Sequence, residues 1–364
     1  MASSTESSEC IEVLTENLRK IDELSETIGT NQVSFSSIGN SWHHPSDELK
    51  TALTVLHAAA GSIYGAATKF GLLCKASPKK AEIQSLCDEM TSFCDNLSSA
   101  LRVAMLSGAA DPLSNTLHSK VKSILHAVSD LVSMALSGAR NEKGEVELAP
   151  AAGVVWSACD DIQQAPKSNR DAYRWSFMTW SIAIKDTVDE FHQLVENSKQ
   201  SPRDPADGDR NSEEENRLRE MSNDDFFMEM GDVDDDLYTL EECRCAEAIV
   251  DLMRMSRRSL KFAMDVTKDM TERTEDQLAW VHQLYLNAKG VIELVTNLGM
   301  SLYPPLGKEE LDESKTIYMD CLQSMINQLV NADFVNETQQ NEILVLQEKF
   351  VARLEQANAA LLTI

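Results

Sequence analysis

The amino-acid sequence predicts an all-α protein in which an acidic linker joins two up-and-down helical bundles. Apolar residues recur in alternating steps of three and four along most of the chain, the spacing that places them on one face of an α-helix. With only 14 Gly and 9 Pro in 364 residues, the chain has few residues for the turns of a many-stranded sandwich. No stretch alternates apolar and polar residues for long enough to build a sheet.

Six helices are predicted before the linker. The second has its apolar seam at Leu49, Leu53, Leu56, Ala60, Ile63, Ala67, Phe70 and Cys74. Ser77-Pro78 and Asp111-Pro112 each place a capping side chain before a proline, which favours a helix start. Ser168 to Asp171 has the form of a capping box. We therefore predict an N-terminal bundle over residues 1–198.

Residues 199–236 are predicted to be a disordered acidic linker. Between Ser201 and Asp236, fourteen Asp or Glu stand against four Arg, a net charge of −10 over 36 residues. Such a segment buries too little apolar surface to offset its ordering entropy. Four helical seams follow, the second opened by a capping box from Thr274 to Gln277. Residues 237–364 are thus predicted to form a four-helix bundle, giving about ten helices in the chain.

The charge and the N-terminus narrow the classes of function. A formal net charge of −26 argues against direct binding to nucleic acid or to an anionic membrane. The most apolar long stretch, Ala52 to Cys74, is interrupted by His57 and Lys69, so a soluble core helix is the expected structure. The first residues lack a secretory signal, which predicts a reducing compartment and eight free thiols, mostly in the core.

Sequence signatures of catalysis are absent, so no catalytic, metal-binding or cofactor-binding residue is proposed. There is no Gly-rich phosphate loop, no Gly-x-Ser-x-Gly elbow and no His-Glu-x-x-His pair. His43-His44 has no partners at ligand spacing and is interpreted as part of a turn. The aromatic residues of the fifth and sixth helices are interpreted mainly as core, with an interaction hot spot as the alternative; they are Trp156, Tyr173, Trp175, Phe177 and Trp180.

Two segments are candidates for partner binding. Phe226, Phe227 and Met228 lie among carboxylates, a composition typical of segments that fold onto a partner, although a simple spacer remains the alternative. Ser212 and Ser222 precede acidic residues and are possible phosphosites. Arg254, Arg257, Arg258 and Lys261 form a basic stripe with helical spacing. The stripe is either an ordinary solvated face or an electrostatic clasp for the acidic linker.

Three motifs resemble the cyclin D-binding (GCIP) family. Val155-Trp156-Ser157-Ala158-Cys159-Asp160-Asp161-Ile162-Gln163-Gln164-Ala165-Pro166, followed by a long helix, is similar to a characteristic stretch of these proteins. Leu302-Tyr303-Pro304-Pro305 is similar to a second, and Asp236-Leu237-Tyr238 to a third. The resemblance implies helical bundles like those of talin rods and α-catenin, without enzymatic activity.

The resemblance also implies partners. The family binds D-type cyclins and helix-loop-helix transcription factors, negatively regulates cell-cycle progression and transcription, and occurs in nucleus and cytoplasm. We expect a monomer, because each apolar seam can be buried within its own bundle. A cytoskeletal or junctional helical-rod adaptor is the alternative function, and an enzyme is a more distant one.

Overall fold

The computed structural model describes residues 2–28, 42–75, 79–140, 148–200, 237–270, 274–332 and 334–364. Within these ranges the chain forms ten α-helices and no strand, which confirms the predicted all-α class. In chain order the helices are α1 (Ala2–Thr27), α2 (Asp47–Lys75), α3 (Lys80–Leu106), α4 (Asp111–Arg140), α5 (Ala149–Gln163), α6 (Asn169–Gln200), α7 (Leu240–Asp269), α8 (Glu275–Met300), α9 (Lys308–Val330) and α10 (Glu337–Leu361).

The first compact unit comprises Met1–Tyr173 and Arg273–Leu278. Within it, α1 packs against α3 and α4, α2 packs against α3 and α5, and α4 packs against α5. The α2 seam is buried at every predicted position from Leu49 to Phe70. The Nε1 of Trp156 donates to the Oγ1 of Thr68 at 3.0 Å, so α5 is tied to α2 by a hydrogen bond as well as by apolar contact.

The second compact unit comprises Arg174–Glu272 and Ala279–Ile364, so it includes most of α6. This division differs from the predicted boundaries, which place residues 1–198 in the first bundle and only residues 237–364 in the second. The reason is a set of contacts distant in sequence: the rings of Phe191 and Tyr303 lie 5.1 Å apart, and the backbone N of Tyr238 donates to the Oγ of Ser198 at 2.9 Å. Local periodicity does not show such contacts.

Helix caps agree with the sequence at two of the predicted starts. The Oγ of Ser168 accepts from the backbone N of Asp171 at 3.2 Å, and the Oγ1 of Thr274 accepts from that of Gln277 at 3.3 Å. The predicted Ser77-Pro78 start of α3 is wrong, because α3 begins at Lys80. There a carboxylate of Glu82 accepts from the backbone N of Lys79 at 2.9 Å, a charge-assisted cap two residues further along the chain.

The cysteines fit the prediction of free thiols. None of the eight forms a disulfide, and six are buried. Cys94 is fully enclosed in the first unit, and burial raises the pKa of its thiol to about 12. A thiol with so high a pKa stays protonated at neutral pH and behaves as a small apolar side chain.

A buried asparagine holds the connection between α3 and α4. Gly108 has a φ of 97°, a left-handed conformation that ends α3, and the backbone N of Ala109 donates back to the carbonyl of Ala104 at 3.2 Å. The side chain of Asn169, fully buried, donates to the carbonyl of Gly108 and accepts from the backbone N of Ala110, both at 2.8 Å. One amide therefore satisfies both a donor and an acceptor of a buried turn.

Replacing this amide is expected to destabilise the protein. Asn169→Ala leaves two buried backbone groups without their partner, and should lower the free energy of unfolding by about 2–3 kcal/mol in urea denaturation followed by circular dichroism. Asn115→Ala, on an exposed position of α4, is the control and should change it by less than about 0.5 kcal/mol. Equal effects of the two substitutions would contradict a clamping role for Asn169.

Candidate functional site

The predicted linker site lies outside the residues that the structure describes. This applies to Phe226, Phe227 and Met228, and to the possible phosphosites Ser212 and Ser222. The docking of this segment, its phosphorylation and its clasp with the basic stripe therefore stay predictions. The residues on either side are placed, since Tyr238 is hydrogen-bonded to Ser198.

The predicted basic stripe lies on the solvent-facing side of α7. Arg257, Arg258 and Lys261 are exposed and Arg254 is half-exposed. The opposite face of α7 is buried and includes Ile249, Leu252, Met253, Leu260, Ala263 and Val266. The stripe thus follows directly from the amphipathic pattern of the helix.

Helix α10 contributes cations that the sequence did not associate with this stripe. It lies antiparallel to α7, because Arg353 pairs with Asp251 at 2.7 Å and the amide of Gln339 donates to Asp269 at 2.9 Å. Lys349 and Arg353 stand one turn apart on α10 and face the same side as the α7 stripe. A basic pair with this spacing was visible in the sequence, but the antiparallel pairing that brings it to α7 was not.

The first cavity on this surface, which we call the arginine pocket, has a volume of about 370 Å³. Asp251 lines it and accepts from Nη1 of Arg254 at 2.5 Å and from Nη1 of Arg353 at 2.7 Å. Arg244 lines the same pocket and has no ion-pair partner in the described part of the chain. Its full lining is His192, Val195, Arg244, Glu247, Ala248, Val250, Asp251, Arg254, Arg353 and Gln356.

The second cavity, the apolar groove, runs between α7 and α10 with a volume of about 450 Å³. Its floor is apolar and consists of Phe262, Val345 and Leu346. Val345 is 46% exposed and so can be covered by a bound molecule. Cations rim the groove, and its remaining lining residues are Arg258, Lys261, Lys349, Asn341 and Glu342.

The two cavities together form a cationic surface, which we call the α7–α10 surface. Six Lys or Arg and three Asp or Glu line them, in a chain whose net charge is −26. Two of the carboxylates are paired, Asp251 with two arginines and Glu247 with Lys199 at 2.5 Å. The surface therefore presents positive charge beside the exposed Val345 and the half-buried Phe262, a combination that favours a partner with acidic and apolar groups.

The aromatic residues divide between core and surface. Tyr173 and Phe177 are buried and Trp156 and Trp180 are half-buried, as the core interpretation predicts. Trp175 is the exception at 42% exposed, and with Met178 and Ile182 it forms an exposed apolar ridge on α6. His43 also has a structural partner, since its Nδ1 lies 3.0 Å from Nη1 of Arg170.

The structure brings two of the three family-like motifs together. The hydroxyl of the buried Tyr238 donates to the carbonyl of Leu302 at 2.5 Å, and desolvation raises the pKa of this phenol. A carboxylate of Glu242 accepts from the backbone N of Thr239 and of Leu306, both at 2.8 Å. The start of α7 and the turn after α8 are therefore joined by buried polar bonds.

Tyr238→Phe tests this connection. It removes only the hydroxyl and leaves the carbonyl of Leu302 buried without its donor, so the free energy of unfolding should fall by about 1–2 kcal/mol. The exposed Tyr303, whose hydroxyl bonds Glu190, offers the control Tyr303→Phe, which should cost less than about 0.5 kcal/mol in the same urea titration. A larger loss in the control would contradict the assignment.

The described residues contain no group of three His, Cys, Asp or Glu arranged to hold a metal ion. None of the helices described has an apolar stretch long enough to cross a membrane.

Comparison with known proteins gives consistent matches. Residues 55–197 match the family model for the N-terminal region of Grap2 and cyclin-D-interacting proteins. The "Cyclin-D1-binding protein 1 homolog" of Danio rerio is 25% identical over 193 residues, which cover 52% of this chain and 51% of the relative, so the match spans about half the length of that protein. The protein of the same name from Xenopus laevis is 24% identical over 247 residues, covering 66% and 68%. Through residues 55–197 and these relatives, the chain is similar to the cyclin D-binding (GCIP) family.

Proposed function

We propose that this chain is a non-enzymatic regulator that binds a D-type cyclin and thereby restrains cell-cycle progression and transcription. The observation that carries the proposal is the similarity to two proteins named for binding cyclin D1. The helical bundles support it, because they offer long rigid faces to another protein. A helix-loop-helix factor is a second protein partner that the same role allows.

The α7–α10 surface is the proposed contact on this chain. Positive charge on an otherwise acidic protein steers an acidic partner to one place and disfavours other orientations. The exposed Val345 and the half-buried Phe262 add apolar area that a partner can cover. The family model covers α6 as far as residue 197 and does not reach α7, so residues 55–197 form the competing location for the contact.

The remaining features of the proposal rest on the net charge of the chain and on its similarity to the cyclin D-binding family. We propose a monomer that acts in both cytoplasm and nucleus and binds proteins rather than nucleic acid or membrane. The net charge of −26 supports the exclusion of phosphate-rich partners, because the chain as a whole repels other anions.

Charge reversal tests both the partner and the surface. The purified full-length chain should bind a D-type cyclin in surface plasmon resonance. Arg258→Glu, Lys261→Glu and Lys349→Glu together should weaken that binding roughly tenfold and reduce its salt dependence, because the cationic rim of the groove is lost.

The matched control makes the same change of charge elsewhere. Lys69→Glu, Lys122→Glu and Lys289→Glu replace exposed lysines, two of them within the family-matched segment, and should alter affinity by less than about twofold. Weakening by the control alone would place the contact away from the α7–α10 surface, and Lys69→Glu with Lys122→Glu but without Lys289→Glu would then test residues 55–197. If the wild-type chain captured actin or a vinculin-like protein but no cyclin, the adaptor function would replace the proposed one.

The linker is tested separately with Phe226→Ala and Phe227→Ala. If the acidic segment docks on a partner, this double substitution should weaken cyclin binding roughly tenfold, because aromatic side chains are the main anchors of such segments. Met230→Ala, in the same segment, is the control. Unchanged affinity in isothermal titration calorimetry would eliminate the segment as a docking element and leave the bundle surfaces.

A further inference from the structure

We propose that the α7–α10 surface binds a single amphipathic, acidic α-helix supplied by a protein partner. This inference rests on the proposed function as a protein-binding regulator and adds the chemical class of the bound segment. It is carried by the arrangement of the two cavities, by their charges and by the apolar floor between α7 and α10.

Both cavities are lined by residues of α7 and of α10. The arginine pocket includes Arg244 and is lined also by His192 and Val195 of α6, and the apolar groove includes Lys261. At 1.5 Å per residue, the separation of these two positions along α7 is about 25 Å. A partner helix of about 17 residues therefore spans both cavities.

The shape favours a helix over an extended strand. A strand gains affinity by adding to a sheet edge, and the described residues form no sheet. Two antiparallel helices instead leave a groove between their side chains, into which the apolar ridge of a third helix fits. The exposed Val345 and the half-buried Phe262 would meet that ridge.

The charges determine the polar flanks of the bound helix. A guanidinium carries five N–H donors, and Asp251 accepts from one nitrogen each of Arg254 and Arg353, which leaves further donors for an incoming carboxylate. Arg244 adds a cation without an ion-pair partner among the described residues. At the other end, Arg258, Lys261 and Lys349 outnumber Glu342. Glu or Asp on both sides of the apolar stripe would complement this pattern.

A designed peptide provides a direct test. The probe is a fluorescent helical peptide of about 18 residues with Leu at positions i, i+4, i+7 and i+11 and Glu on the flanking positions. Fluorescence anisotropy with the full-length chain should show micromolar binding that weakens with salt. A peptide of the same composition, with the Leu positions scrambled, should bind at least tenfold more weakly, because it lacks a continuous stripe.

Neighbouring residues of α10 provide the matched variants. Val345→Asp places a charge in the floor of the groove and should weaken peptide binding at least tenfold. Leu344→Asp introduces the same charge at a position that is 40% exposed and outside the groove lining, and should change the affinity by less than about threefold. As an independent readout, a benzophenone on the peptide stripe should crosslink to residues of α7 or α10.

Several results would overturn the proposal. Equal binding of the patterned and scrambled peptides would show attraction by charge alone, and crosslinks confined to residues 55–197 would place the site elsewhere. Binding to phosphatidylserine vesicles without binding to the peptide would indicate a lipid surface as the ligand. If the chain bound the cyclin but not the peptide, the helical ligand would be refuted and the proposed function would stand. If the chain bound the peptide but not the cyclin, the helical ligand would stand and the proposed function would be refuted.

Discussion

Each helix of this chain has one apolar stripe to bury, and the positions of all other groups depend on that constraint. A helix satisfies its own backbone hydrogen bonds but removes its apolar side from water only against other helices. In α7 the buried stripe runs from Cys243 to Val266, so the arginines between them can only face outward. The cationic surface is therefore a consequence of core packing, and a partner would bind the helix faces that remain exposed to solvent.

The α7–α10 surface carries several cations, and some of them have no ion-pair partner among the described residues. The chain has 59 acidic and 33 basic residues, and several of its exposed cations pair with a carboxylate within a turn of their own helix, as Lys185 does with Asp189 at 2.5 Å. Arg258 and Lys261 have no such ion pair within the described ranges. Their mutual repulsion is modest at physiological ionic strength, yet an acidic ligand would relieve it. The positive charge of the α7–α10 surface thus favours binding of an acidic partner.

The sequence predicted what depends on local pattern and missed what depends on distant contact. The α2 seam, the capping by Ser168 and Thr274 and the outward basic stripe of α7 are properties of neighbouring residues, and the structure has them as predicted. The contribution of Lys349 and Arg353 was missed, because it depends on the pairing of Arg353 with Asp251, about one hundred positions earlier in the chain. The assignment of most of α6 to the second unit has the same origin. An isolated helix cannot show which bundle receives its apolar face.

The hydrogen bond between Tyr238 and Ser198 has a consequence for how such proteins can diverge. Because it holds together the two points between which the acidic segment runs, that segment closes a loop on a fixed base. The entropy of closing a loop grows only with the logarithm of its length, so doubling the number of residues costs about 0.6 kcal/mol. Insertions and deletions in this segment should therefore be tolerated far more readily than elsewhere in the second unit. The length and composition of the segment can therefore diverge between related proteins while the second unit stays the same.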